Sequence, residues 1–375
     1  MVPERRDGMI VRKVALFVSL AAVLAGCAAM PEQWESSPVI LTEETFSAEP
    51  GLTEPEGPDR WVLCELTAAD AEAALVFVYD PGAGELVYCS TEALAPVYPA
   101  SITKLFSAWV ALRFLPGDEE VTVGWELGLV EQGSSTALLA LDSRLTVEEL
   151  VQGMLLPSGN DAALTLAAAV GRVLLKNETA AAREAVAEFV AEMNRAAFAV
   201  GLQNTHFTNP HGWHSQDHYT CPADLGVMAA LALDEPILRR AMGLSEITVT
   251  TRSGEVYPWR NTNRLVRRDL PGFCEEAIGM KTGYTDAAGY CLLAAFGEED
   301  PLVVGVFGCR EGESRYTLAE ELYRVLTEDP VHTAALHQQV QSGAGQEQHD
   351  ELAQGHINGV DHEPAADVDR QLPAH

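Results

Sequence analysis

Apolar β-type runs sit at both ends of the folded body of this chain, and the stretch between them is helical. Ala74-Leu-Val-Phe-Val-Tyr79 and Glu85-Leu-Val-Tyr88 flank Asp80-Pro-Gly-Ala-Gly84, whose Pro and Gly residues signal a hairpin turn. Glu276 to Met280, Tyr290 to Phe296 and Leu302 to Phe307 repeat the pattern far downstream, again split by turns. Between the two groups, Ser101 to Phe114, Asp161 to Leu175 and Ala180 to Val200 carry apolar residues at helical spacing; the first does so through Leu105, Ala108, Trp109 and Leu112. Ser314 to Leu326 closes the body as an amphipathic helix. Strands at both ends with a helical middle predict an α/β fold of the α+β type: an antiparallel sheet flanked by helices, with a helical subdomain.

The 375 residues, 47% of them hydrophobic, suffice for one large domain or two ordinary ones. Fifty-five acids against 24 bases give a formal charge of -31, so neutralisation of phosphates would have to be very local, and no nucleic-acid partner is expected. One stretch is apolar enough to touch lipid. Arg5, Arg6, Arg12 and Lys13 precede Val14 to Leu24, a run without charge that is too short to span a bilayer and reads as an export signal. It ends on Leu24-Ala25-Gly26-Cys27, which resembles the lipobox of bacterial lipoproteins; a plain cleaved signal with an incidental cysteine is the alternative. The resemblance implies an extracytoplasmic protein, lipid-anchored to the cell membrane through Cys27. The expected organisation is a signal peptide over 1–26, a lipidated Cys27 with an acidic Pro-rich linker over 27–59, a folded body over 60–328 and a disordered polar tail over 329–375.

Cys64, Cys89, Cys221, Cys274, Cys291 and Cys309 remain, an even six, and disulfides and buried free thiols are both compatible with them. There is no C-x-x-C pair and no cysteine at metal-ligand spacing to a histidine, so neither metal nor cofactor is expected.

Three short strings carry the chemistry: Ser101-Ile-Thr-Lys104 at a helix start, Ser158-Gly-Asn160 entering another helix, and Lys281-Thr-Gly283 on a late strand. Each alone is weak; together, in this order, they form a pattern known from serine acyl-transfer enzymes. Serine needs a base within hydrogen-bond reach, and spacing i to i+3 on a helix sets Lys104 beside Ser101. Partial burial and the nearby Lys281 favour the neutral amine that a base requires. Ser158 can pass a proton to a leaving amine, and Asn160 can orient Lys104 and the substrate amide. Lys281 and Thr282 suit a carboxylate, Gly283 admits a substrate backbone, and the N–H groups of Ser101 and Tyr284 are oxyanion-hole candidates.

The flanks extend the match. Tyr98-Pro-Ala-Ser-Ile-Thr-Lys104, Leu156-Pro-Ser-Gly-Asn-Asp-Ala162, Phe207-Thr-Asn-Pro-His-Gly-Trp213, His218-Tyr-Thr, Asn261-Thr-Asn263 and Gly279-Met-Lys-Thr-Gly-Tyr-Thr285 make residues 70 to 326 resemble the serine-type D-alanyl-D-alanine carboxypeptidases, low-molecular-mass penicillin-binding proteins of the β-lactamase/transpeptidase-like fold. The resemblance implies attack by Ser101 on the amide between two terminal D-alanines of a peptidoglycan stem peptide, and inhibition by β-lactams. It implies Lys104 as general base, Ser158 and Asn160 as the second motif, and Lys281 with Thr282 as the carboxylate site. Arg315, at the head of the last helix, resembles an arginine that the family uses for the same carboxylate. Glu126 to Leu139 resembles the loop that lines the cleft, with Ser134 and Ser135 as substrate contacts. Many members carry a C-terminal β-rich domain and an amphipathic anchoring helix, which the polar tail cannot supply.

Two alternatives stay open: a β-lactamase, against which stand Gly159 in the second motif and the lack of a clear Glu-x-x-x-Asn loop, and a non-catalytic β-lactam-sensing or wall-binding lipoprotein. A zinc peptidase built on His206, His211, His214 and His218 lacks an H-E-x-x-H motif, and Asn209-Pro-His-Gly212 reads better as a tight turn.

Overall fold

A computed structural model describes residues 75–328. The segments expected to be a signal peptide, a linker and a polar tail, together with Cys27 and Cys64, lie outside the described residues. The chain runs β1 (Leu75–Asp80), β2 (Glu85–Cys89), a 3-10 turn (Ala100–Ile102) leading into α1 (Thr103–Ala111), β3 (Glu120–Thr122), a second 3-10 turn (Trp125–Leu129) and β4 (Arg144–Thr146). Five helices follow: α2 (Val147–Leu155), α3 (Asn160–Leu175), α4 (Ala182–Ala199), α5 (Pro222–Asp234) and α6 (Pro236–Gly243). The hairpin β5 (Glu246–Thr250) and β6 (Val256–Arg260), the strands β7 (Ala277–Thr285), β8 (Gly289–Phe296) and β9 (Leu302–Cys309), and α7 (Ser314–Glu328) complete the order.

The expected antiparallel sheet is present, in the order β2-β1-β9-β8-β7, so the N-terminal hairpin joins the late strands through β1 and β9. Side chains alternate across it. On one face Val76 and Val78 pack with Leu292, Val304 and Val306 against Leu318, Ala319 and Leu322 of α7. On the other, Leu75, Phe77 and Tyr79 meet Ile102, Leu105 and Phe106 of the first helical segment and Leu225 and Met228 of α5. Each such side chain contributes about 1.5–3 kcal/mol relative to exposure.

Helix α2 starts at a capping box, in which Glu149 N donates to Thr146 Oγ1 at 3.2 Å and Thr146 N donates to Glu149 Oε2 at 2.7 Å. Helix α3 runs through the middle of the helical region, and its small residues Ala162, Ala163, Ala167 and Ala168 are fully buried.

The boundary differences that bear on the site lie at the first and third strings. The helix predicted from Ser101 begins at Thr103, because residues 100–102 wind more tightly. The apolar run expected over Glu276 to Met280 and the late strand expected for Lys281-Thr-Gly283 form one continuous strand that ends at Thr285. Of the two readings of the cysteines, free thiols hold for Cys89, Cys221, Cys274 and Cys291.

Candidate active site

The turn at Ala100–Ile102 and the first turn of α1 set Ser101 and Lys104 side by side. Lys104 Nζ donates to Ser101 Oγ at 2.8 Å and to the His211 carbonyl at 2.9 Å. The lysine is wholly buried, and burial lowers its pKa to about 7 although Asp161 and Glu131 pull it upward. Roughly half of such side chains are neutral at about pH 7, and a neutral amine can accept the Ser101 proton along the same 2.8 Å contact.

Backbone strain gathers at the three strings. Ala100 (φ 46°), Ser158 (φ 62°) and Met280 (φ 92°) are non-glycine residues in the left-handed region, each inside or next to one string. Such residues cost about 1–3 kcal/mol each and persist where the surroundings enforce them. At Ala100 the enforcement is explicit. Thr103 Oγ1 donates to the Ala100 carbonyl at 2.8 Å, and His218 Nε2 lies 2.8 Å from the same hydroxyl oxygen. Thr208 N donates to His218 Nδ1 at 3.1 Å, so the imidazole is neutral with its proton on Nε2, in keeping with a pKa lowered by burial to about 3. Gly212 (φ 86°) closes the other side; a Cβ there would lie 1.8 Å from the Ala100 carbonyl oxygen.

Ser158 and Asn160 sit where the chain enters α3. Asn160 N donates to Ser135 O at 2.9 Å. Asp161 accepts from Ala137 N at 2.7 Å and from Leu139 N at 3.0 Å, which fastens the loop carrying Ser134 and Ser135 over the cleft.

Strand β7, at the sheet edge, supplies the third side. Lys281 is buried, its Nζ donates to Thr282 O at 2.9 Å, and burial with the charges of Lys104 and Arg315 holds it well below the ordinary lysine value. Thr282 Oγ1 and Thr262 Oγ1 are 2.8 Å apart. A Cβ on Gly283 would stand 3.1 Å from Ala100 Cβ and 3.2 Å from Ser101 N, so glycine lets the strand lie against the serine turn. Tyr284 is half exposed and donates to Asp286 Oδ1 at 2.9 Å. Arg315 Nη1 donates to the carbonyls of Gly283 at 3.2 Å and Cys291 at 3.1 Å, and its buried Nε meets no partner among the described residues.

These walls enclose a cleft of about 630 Å³ lined by Ser101, Ser158, Asn160, Thr282, Gly283, Tyr284 and Arg315, with Ser134 and Ser135 on the loop side. Lys104 and Lys281 lie beneath it. The nine residues singled out in the three strings, at Tyr284 and at Arg315 therefore converge on one place.

The sequence profile of the D-alanyl-D-alanine carboxypeptidases matches residues 64–310. The chain belongs to this family. Over 231 residues it is 30% identical to the D-alanyl-D-alanine carboxypeptidase DacF of Bacillus subtilis (strain 168), a match covering 61% of this chain and 54% of that protein. Over 214 residues it is 34% identical to the D-alanyl-D-alanine carboxypeptidase of Streptomyces sp. (strain K15), covering 55% of this chain and 70% of the relative. The crystal structure of the Streptomyces K15 DD-transpeptidase superposes with a TM-score of 0.60 at 29% identity, covering 68% of this chain and 96% of that one. The chain spans about half the length of the Bacillus relative.

Within this carboxypeptidase-family fold the four clustered histidines have separate partners. His206 Nδ1 lies 2.6 Å from Asp217 O, His211 Nε2 lies 3.0 Å from Glu131 Oε2, His214 packs edge-on to Tyr98, and His218 serves Thr103 and Thr208. Among the described residues no three His, Cys, Asp or Glu are grouped to hold a metal. Sequence reasoning gave no role to Asp161, Thr262, His218 or Glu131. The first three lie inside the matched segments, and Glu131 lies inside the Glu126 to Leu139 loop segment, where attention fell on Ser134 and Ser135.

Proposed function

We propose that this chain is a serine D-alanyl-D-alanine carboxypeptidase that removes the terminal D-alanine from peptidoglycan stem peptides through an acyl-serine, and that β-lactams inhibit it by acylating the same serine. The observation that carries the proposal is the 2.8 Å contact between Ser101 Oγ and the buried amine of Lys104, whose pKa is lowered to about 7. Neutral Lys104 takes the Ser101 proton as the oxygen attacks the carbonyl carbon of the penultimate residue. The N–H groups of Ser101 and Tyr284 receive the developing oxyanion. Ser158, oriented with Asn160, gives its proton to the leaving amine and regains one from the protonated Lys104, D-alanine departs, and water cleaves the ester by the reverse proton path. Thr282, Thr262 and the positive potential of Lys281 and Arg315 receive the terminal carboxylate. Family membership and the 29% identical K15 fold support this reading.

The cellular setting belongs to the same proposal: export by residues 1–26 and anchoring by lipid on Cys27, supported by the charge pattern and the Leu24-Ala-Gly-Cys27 string. Loss of fatty-acid labelling in Cys27→Ser tests the anchor.

The activity is tested by D-alanine release from diacetyl-L-Lys-D-Ala-D-Ala, with and without benzylpenicillin. Release blocked by penicillin and absent in Ser101→Ala is the expected result. Stable labelling without release would favour a sensor, and rapid penicillin turnover a β-lactamase.

A further inference from the structure

His211 serves the cleft twice. Its carbonyl accepts from Lys104 Nζ at 2.9 Å, and its ring Nε2 lies 3.0 Å from Glu131 Oε2. The ring is 2% exposed, and its Nδ1 is buried without a partner among the described residues. Because a carboxylate only accepts, Nε2 carries the proton and the unpaired Nδ1 carries a lone pair. Burying an unpaired lone pair costs free energy, which the bond from Nε2 to Glu131 and the surrounding packing offset. That bond crosses from the cleft-lining loop to the turn beneath it. On the loop side, the Glu131 carbonyl accepts from Ser134 Oγ at 2.8 Å and from Ser134 N at 3.2 Å, so the same residue shapes the segment that lines the cleft.

We propose that Glu131 is a positioning residue for acylation: its bond to His211 latches the Ser134-Ser135 wall onto the turn that holds Lys104 and brings a carboxylate to bear on that amine. The inference rests on the reading of Ser101 and Lys104 given above. The groups that face Lys104 are Glu131 from the loop, Asp161 from the start of α3, Lys281 from β7 and neutral His211 from the turn, with neutral His218 behind α1. Glu131 and Asp161 are the two that raise the proton affinity of Lys104. Glu131 is held below the ordinary carboxylate value, its own burial outweighed by the His211 bond and the nearby Lys104, so it remains charged where Lys104 titrates.

The test is the rate of Ser101 acylation by a fluorescent penicillin as a function of pH, in the full chain and in two variants. Glu131→Gln keeps size and hydrogen bonding but removes the charge, so the acid limb of its profile should move to lower pH; at about pH 6 it should run at a larger fraction of its own plateau than the parent does. Glu131→Asp keeps the charge but retracts it by one methylene, so its limb should stay while its plateau falls by about threefold or more. An unmoved limb in Glu131→Gln overturns the electrostatic part, and an unchanged plateau in Glu131→Asp overturns the latch even where the Gln variant fails to fold. A parent chain that is not acylated at any pH defeats the functional reading itself, which separates the two failures.

Discussion

Replacing Lys104 by Met should stabilise the protein in acid and do nothing in base. The amine is fully buried and its pKa falls from 10.5 to about 7. The unfolded chain binds this proton up to about pH 10.5, the folded chain only up to about 7, so unfolding takes up a proton between these values and the folded state gains stability as pH rises through that window. At about 1.4 kcal/mol per tenfold change in proton affinity, the native lysine costs about 5 kcal/mol at about pH 6 and about 2 kcal/mol at about pH 9. Met has a similar length and no charge. It forfeits the bonds to Ser101 Oγ and the His211 carbonyl, a loss of about 2 kcal/mol together. Lys104→Met should therefore be more stable than the parent by about 2–3 kcal/mol at about pH 6 and nearly equal to it at about pH 9. Lys281, relieved of its neighbour's charge, would regain some proton affinity and accentuate the trend. Urea unfolding of both proteins at the two pH values measures the difference directly. A stability difference that does not change with pH would refute the claim that Lys104 is held neutral by burial, and with it the case for Lys104 as a base.

Gly283→Ala should insert a methyl against Ala100 and the Ser101 amide, at 3.1 and 3.2 Å, and move the strand off the serine turn. Penicillin acylation should fall by about tenfold or more while unfolding free energy drops by only about 1–3 kcal/mol; equal rates in stopped-flow labelling would argue against the close approach. In Asp161→Asn one acceptor facing Ala137 N or Leu139 N becomes a donor, so the loop should loosen. Hydrogen exchange at those two amides should speed up, at a cost of about 1.5–3 kcal/mol in stability. Because burial and two cations hold Lys281 well below the ordinary lysine value, binding of an acyl-D-Ala carboxylate should raise its proton affinity and draw a proton from solvent at any pH where the free site's amine is neutral. Calorimetry in buffers of different ionisation heat reads this as a buffer-dependent binding enthalpy, and identical enthalpies would place a charged lysine in the free site.

The sheet was legible because β1, β8 and β9 are short, nearly unbroken apolar runs rich in β-branched and aromatic residues and bounded by turns. The apolar part of β7 reads only to Met280, with Lys281-Thr-Gly283 as a strand segment of its own, because lysine and glycine interrupt the apolar pattern; tertiary contact with the serine turn, which no local pattern records, makes the two one strand. Helix α2 had a readable start in Thr146-Val-Glu-Glu149, but its nine residues fall near the length at which periodicity loses force. For the site, residue type and order carried the three strings, since each chemical role restricts the side chain. Glu131 and His218 act through partners 80 and 115 residues away in sequence, His211 and Thr103. Such pairings are a property of the folded arrangement, so spacing along the chain could not announce them.

Strand β7 forms one border of the main sheet, and an unpaired border is where sheets of separate molecules tend to join. Here its first half is capped. A Cβ on Gly279 would stand 2.2 Å from the Met242 carbonyl oxygen, and one on Gly243 would stand 2.9 Å from Ile278 O, so the end of α6 lies directly on the backbone there. A bulge between Ala277 and Gly279 turns the strand further out of line with any would-be neighbour. Further along, Gly283 is packed on the serine turn, so among the described residues it is Tyr284 and Thr285 that reach solvent, at the cleft. Two different elements, the end of α6 and the serine turn, thus cover this border in succession, and the contact that builds the cleft also leaves little of the strand for a second molecule to pair with.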